Sequence, residues 1–172
     1  MEALFRRYER LGGKAEKSKE KIAHGLIEEL SKHAAAEEQI LYTAMRTMVR
    51  GGEKLQEEGI EEHQEVKELL TDLGRLSPGD EEFDPKMQAL IANVRHHVKE
   101  EEGEMFPKLR KASQREQLVD MGRMIQMAKK VAPTRPHPHA PSTPPGNVLV
   151  GAVAGVVDRV RDAGRKVLSG AD

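Results

Sequence analysis

Two histidine–glutamate pairs, His33 with Glu37 and His97 with Glu101, carry the first chemistry that this sequence suggests. In each pair the carboxylate follows four residues after the imidazole, and an aliphatic–aromatic dipeptide comes next, Leu41-Tyr42 or Met105-Phe106. Residues four apart on an α-helix lie ~40° apart around its axis, so each pair shares a face. Spacing alone says little, because 29 of 172 residues are acidic and His24/Glu28 and His96/Glu100 show the same interval. The face is what separates them. Leu26, Leu30, His33, Glu37 and Leu41 form one stripe, and Leu90, Val94, His97, Glu101 and Met105 form its counterpart. His24 lies opposite its stripe and His96 is turned ~100° from His97, so both are read as surface residues. His63 adds a third imidazole, on a face shared with Val66 and Leu70.

A carboxylate inside a helical core costs several kcal/mol unless something balances its charge. Lys and Arg are absent from the two stripes at that level. A bound cation would satisfy His33, Glu37, His63, His97 and Glu101 together. This all-nitrogen-and-oxygen donor set suits iron, manganese or zinc and offers no soft ligand for copper(I). Glu38 and Glu102 are expected beside the site, behind the ligands or on the surface. Tyr42 and Phe106 are expected to pack in the core, with Tyr42 also able to donate a hydrogen bond nearby. The methionines read as adaptable core.

The elements that must position these groups are helical throughout, since apolar residues recur at helical spacing and no alternating run stands out. A short first helix from Met1 to about Leu11 ends at Gly12-Gly13. A long second helix runs from about Lys14 to Val49, a third from about Glu53 to Leu73, and a fourth from about Asp84 to Lys111, kinked or ended locally by Pro107. The second and fourth are one unit used twice: Leu26, Ile27, Leu30, His33, Glu37 and Arg46 align with Leu90, Ile91, Val94, His97, Glu101 and Arg110. Short connections make neighbours antiparallel, giving an all-α, up-down-up-down four-helix bundle. A fifth helix, opened by a capping box over Ser113–Glu116 and running to about Val131, caps it. Residues 1–131 are thus one domain, 132–146 a Pro-rich linker of polyproline type, and 147–172 a C-terminal amphipathic helix.

Composition narrows the classes further. With no Cys, disulfides, thiolate metal sites and cysteine nucleophiles are excluded. Lys plus Arg is 28 against 29 acidic residues, so the net charge of −1 gives no basic field to attract nucleic acid. Aromatics are 3% with no Trp, which argues against an aromatic nucleic-acid platform. The most apolar run, Val148 to Val157, falls well short of the ~20 residues a membrane span needs. No apolar leader follows Met1, and a cytoplasmic protein is expected. The Val-rich face of the last helix can dock a partner protein, a second copy or a membrane surface, or fold back on its own bundle. His137 and His139, set between prolines, are expected in solvent.

At these residues the chain resembles the hemerythrin-like family, in particular its bacterial HHE cation-binding type. The stretch HHVKEEEGEMFP carries the resemblance, and the tail PHPHAPSTPPGN is similar to that of actinobacterial members. The likeness covers about Met1 to Val131 and implies a four-helix bundle holding two irons, bridged by carboxylates and an oxygen atom. It further implies that the centre meets dioxygen, nitric oxide or peroxide, with His33, Glu37, His63, His97 and Glu101 as ligands. Zinc or manganese with a structural duty, in a helical interaction module, is the alternative. The invertebrate oxygen carriers have a second His on helix three; Lys67 stands there, which fits the HHE type. The family's helix-one His has no counterpart: the internal repeat places it three residues before Met1. Either an upstream start or a site with one ligand missing is expected.

Overall fold

The computed structural model describes residues 1–13, 15–143, 146, 147, 154, 155 and 158. Its elements are helices in the order α1 (Glu2–Glu9), α2 (Glu16–Ala36), a π-helical turn π1 (Glu37–Leu41), α3 (Tyr42–Met48), α4 (Gly52–Leu73), α5 (Phe83–Glu100), a second π turn π2 (Glu101–Met105), α6 (Phe106–Ala112) and α7 (Arg115–Val131). The expected long second helix is therefore α2–π1–α3, and the fourth is α5–π2–α6. With α1 and α4 they form the four rods of the expected all-α bundle. No strand occurs among the described residues.

The π turns begin at Glu37 and Glu101, the same register of the internal repeat. Their cause is legible in the spacing. His33, Glu37, Leu41 and Met45 are four apart, as are His97, Glu101, Met105 and Leu109. In an unbroken α-helix each such step drifts by ~40°, so three steps would carry the fourth residue off the inner face. One wider turn takes up that drift, and Leu41, Met45, Met105 and Leu109 all remain buried. Pro107 is not responsible, because π1 has no proline. Pro107 sits in the first turn of α6, just beyond π2, where its missing N–H is tolerated.

Apolar burial is split into two clusters. One gathers Phe5 and Tyr8 of α1 with Ile22, Leu26 and Leu30 of α2, Val66 and Leu70 of α4, and Leu90 and Val94 of α5. The other gathers Leu41, Tyr42 and Met45 with Leu55, Met105 and Leu109. The sequence positions between the clusters are those of His33, Glu37, His63, His97 and Glu101. A polar layer is thus enclosed between two apolar plugs.

The α3–α4 turn is tight. Gly51 has φ 73°, in the left-handed region, and opens α4. At Gly52 a Cβ would lie 1.9 Å from the Met45 carbonyl oxygen. Gly52→Ala should therefore destabilise the fold by about 1–3 kcal/mol or more, because backbone has to move. Chemical denaturation should give a lower midpoint with an unchanged slope.

Polar contacts hold the periphery. Lys19 is buried and meets Asp84 Oδ2 at 2.6 Å, and the Tyr8 hydroxyl donates to the same carboxylate. Arg95 joins Glu2 and Glu9 at 2.9 and 2.7 Å, tying α1 to α5. The capping box of α7 is closed by Gln114 and Gln117, one residue later than expected from Ser113–Glu116. The Ser113 hydroxyl instead faces the Met48 sulfur at 4.0 Å.

Beyond α7 the chain returns to the bundle. Ala132 and Thr134 are buried, the Lys67 ammonium donates to Ser142 Oγ at 3.3 Å, and the backbone N–H groups of Thr134 and Arg135 donate to Asp158. His137, expected in solvent, is half-buried with Nε2 3.2 Å from Asp158 Oδ2, because the Pro-rich stretch lies against the protein. Most of the expected C-terminal helix lies outside the described residues. No described helix is long and apolar enough to cross a membrane.

Candidate metal centre

All five expected site residues come together. Glu37, His63 and His97 form one triad and His33, Glu37 and Glu101 another, with the donor atoms of each within 4.8 Å of one another. Glu37 belongs to both. Four of the five residues are buried and His33 is partly exposed. His24 and His96 are exposed, as expected.

The tautomers of the inner imidazoles follow from their partners. His63 Nδ1 lies 3.1 Å from Glu38 Oε1, and His97 Nδ1 lies 2.6 Å from Glu62 Oε2. Carboxylates accept, so both Nδ1 atoms donate and both neutral rings carry a bare Nε2. Those two Nε2 atoms face each other at 3.2 Å. Two lone pairs at that distance repel unless a proton or cation lies among them. The Tyr42 hydroxyl supplies part of the answer, donating to His63 Nε2 at 3.1 Å. Two carboxylate oxygens, Glu37 Oε2 and Glu101 Oε1, are buried without a hydrogen-bond partner. Facing bare nitrogens and orphaned carboxylate oxygens fit a bound cation.

Electrostatics match. Burial first, then the nearby Glu101 charge, raises the Glu37 carboxyl well above the usual carboxylate range. Burial likewise raises Glu101, against the opposing pull of His97 and Lys129. Burial, and then the Lys129 charge, push the His33 imidazole down to about 3, and burial lowers His63. Without metal, burial thus disfavours charge on His33, His63, Glu37 and Glu101. A metal favours the ionised carboxylates, so loading should release protons from the raised carboxyls and affinity should rise with pH. Calorimetric titration in buffers of different ionisation enthalpy measures the release. Loading with no dependence on buffer would contradict it.

Three contributors escaped the sequence reading. Lys67, read only as a replacement for a ligand, is buried with Nζ 2.7 Å from Glu38 Oε1. The absence of Lys and Arg concerns only the stripes of the second and fourth helices; Lys67 reaches the layer from α4, one turn beyond His63. Lys129 reaches in from α7, with Nζ 2.7 Å from His33 Nδ1. Glu62 orients His97. The paired expectation for Glu38 and Glu102 divides: Glu38 is buried beside His63, whereas Glu102 is exposed. Tyr42 fulfils both of its expected roles. Its packing also requires a glycine, because a Cβ at Gly59 would lie 2.7 Å from the phenol oxygen.

Comparison with known proteins agrees with the geometry. Residues 1–109 match the model of the hemerythrin HHE cation-binding domain. An uncharacterised hemerythrin-like protein of Schizosaccharomyces pombe is 31% identical over 135 residues, covering 78% of this chain and 66% of that protein. A protein of Nostoc described as a DNA nickase is 32% identical over 104 residues, covering 60% of this chain and 29% of that protein. The chain thus spans less than two thirds of either relative. No solved structure gives a significant match. By its family match, its all-helical bundle and the imidazole–carboxylate layer inside it, this chain belongs to the hemerythrin HHE cation-binding domain family.

Proposed function

We propose that residues 1–131 form a non-haem di-iron protein that binds or responds to dioxygen, nitric oxide or peroxide in the cytoplasm. The observation that carries this reading is the sharing of Glu37 by two donor triads. His63 and His97 with Glu37 would hold one ion, and His33 and Glu101 with Glu37 the other. Ferrous iron with an open position supplies electrons and a Lewis-acidic site for such small molecules. The protein's own contribution is orientation, proton placement and exclusion of water. Glu38 and Glu62 fix the two inner rings, Tyr42 keeps a hydroxyl proton at hydrogen-bond distance from His63, and the two apolar clusters close the layer from either end.

The test is metal analysis of protein purified from its native host, with spectra before and after exposure to air. Two irons per chain and new near-ultraviolet and visible bands on oxidation are expected. Stoichiometric zinc or manganese with no spectral response would favour a purely structural site. His97→Ala should abolish or halve the metal content, whereas His24→Ala, on an exposed face, should leave it unchanged. Equal metal loss in both variants would remove the support for this ligand set.

A further inference from the structure

The two halves of the centre are not equivalent, and the difference lies in what stands behind each imidazole. His63 and His97 each present Nδ1 to a carboxylate, which leaves Nε2 unprotonated, with only the neutral Tyr42 hydroxyl donating to that of His63. His33 presents Nδ1 to the Lys129 ammonium at 2.7 Å. An ammonium has three donors and no acceptor. His33 Nδ1 must therefore accept, and its ring proton sits on Nε2. That nitrogen lies 3.0 Å from Glu37 Oε1, so it donates to the very carboxylate the two triads share. Neither nitrogen of His33 is then available to a metal. The inner triad is set for a cation and the outer triad is closed against one.

The Lys129 charge stands beside His33, whose other ring nitrogen meets Glu37. It supplies, from the protein itself, positive charge that a second ion would otherwise bring. The helix that carries it is held by partly buried side chains: no residue of α7 is fully buried, Val119, Met124, Met127 and Val131 are 46–67% exposed, and Leu118 and Met121 pack against the second apolar cluster. Such an element opens more readily than the buried rods beside it.

We propose that Lys129 is a tethered cation that closes the outer metal position, so that the centre takes a divalent cation first at Glu37, His63 and His97. A second ion enters at His33, Glu37 and Glu101 only when Lys129 and the end of α7 are displaced. This rests on the dinuclear reading above. It makes α7 a reporter of how many ions are bound: docked with none or one, released with two.

Metal-free full-length protein titrated with zinc(II) alone, followed by calorimetry and by hydrogen exchange of the α7 amides, tests it. Wild type should bind two ions in separate steps, and α7 exchange should quicken only at the second. Lys129→Met removes the ammonium and should strengthen the second step by about 10–100-fold, the range typical of groups that orient ligands. Lys129→Arg keeps a donor-only cation and should keep the steps apart. His33→Ala should delete the second step and spare the first. Two ions bound with the same affinities in wild type and Lys129→Met would overturn the gate and leave the dinuclear reading standing. Failure of every variant and of wild type to bind any ion would overturn both.

Discussion

Glu37→Leu should make the metal-free protein more stable and leave it unable to hold a pair of ions. The side chain is 4% exposed, one of its oxygens is orphaned, and a second carboxyl, Glu101, lies in the same layer. Without metal this group adds desolvation cost and repulsion, offset only by the hydrogen bond from His33 to its other oxygen, and its proton affinity is raised. Replacing a poorly compensated buried charge by an apolar side chain of similar volume commonly gains about 1–4 kcal/mol. Leu41, one turn further along the same rod, is itself buried. Urea denaturation after chelation should show a higher midpoint at similar slope. The opposite holds with metal present. Glu37 is the one residue common to both triads, and its loss should weaken binding beyond the roughly 10–100-fold typical of residues that merely orient ligands. Wild type should gain stability on adding metal, by linkage, while Glu37→Leu should not. A variant that loses stability without metal and still binds two ions would show that Glu37 serves packing alone.

This crossing of stability and binding explains what the sequence could and could not reveal. Polar residues that interrupt an apolar stripe violate the pattern that stabilises a bundle, so His33, Glu37, His97 and Glu101 stand out before any fold is known. The doubled unit multiplies that signal, and the unbroken intervals of four at both copies even encode the π turns. The groups that orient the site are hidden for the opposite reason. Lys67 lies in a helix crowded with acidic residues, where a lysine reads as solvated surface, and only its placement beside Glu38 on another rod shows otherwise. Glu62 directly precedes His63 in sequence yet serves His97, a partner 35 residues away. Lys129 lies 96 residues from His33, on a helix whose stripe carries no mark of the site. Ligands announce themselves through local conflict with the helix period, whereas their supports agree with it and are selected only by tertiary contact.

The Glu38–Lys67 pair gives the second large effect. Glu38 Oε1 accepts from His63 Nδ1 at 3.1 Å and from Lys67 Nζ at 2.7 Å, and all three side chains are buried. Glu38→Ala strands the Lys67 ammonium, whose remaining partner, Ser142 Oγ at 3.3 Å, is neutral. Breaking a buried ion pair from one side costs about 3–5 kcal/mol. It also frees His63 to turn or to change tautomer, which should weaken metal binding by roughly 10–100-fold. The two consequences have different origins and can be separated. Lys67→Met leaves Glu38 still accepting from His63, so binding should hold better than stability does. In the double variant the stranded charge is gone, so most of the stability should return while the affinity stays low. Denaturation midpoints and calorimetric affinities for the four proteins form one cycle. Recovery of both quantities together would assign Glu38 to folding only. Recovery of stability alone would show that His63 owes its competence as a ligand to the carboxylate behind it, as the facing, bare Nε2 atoms of His63 and His97 require.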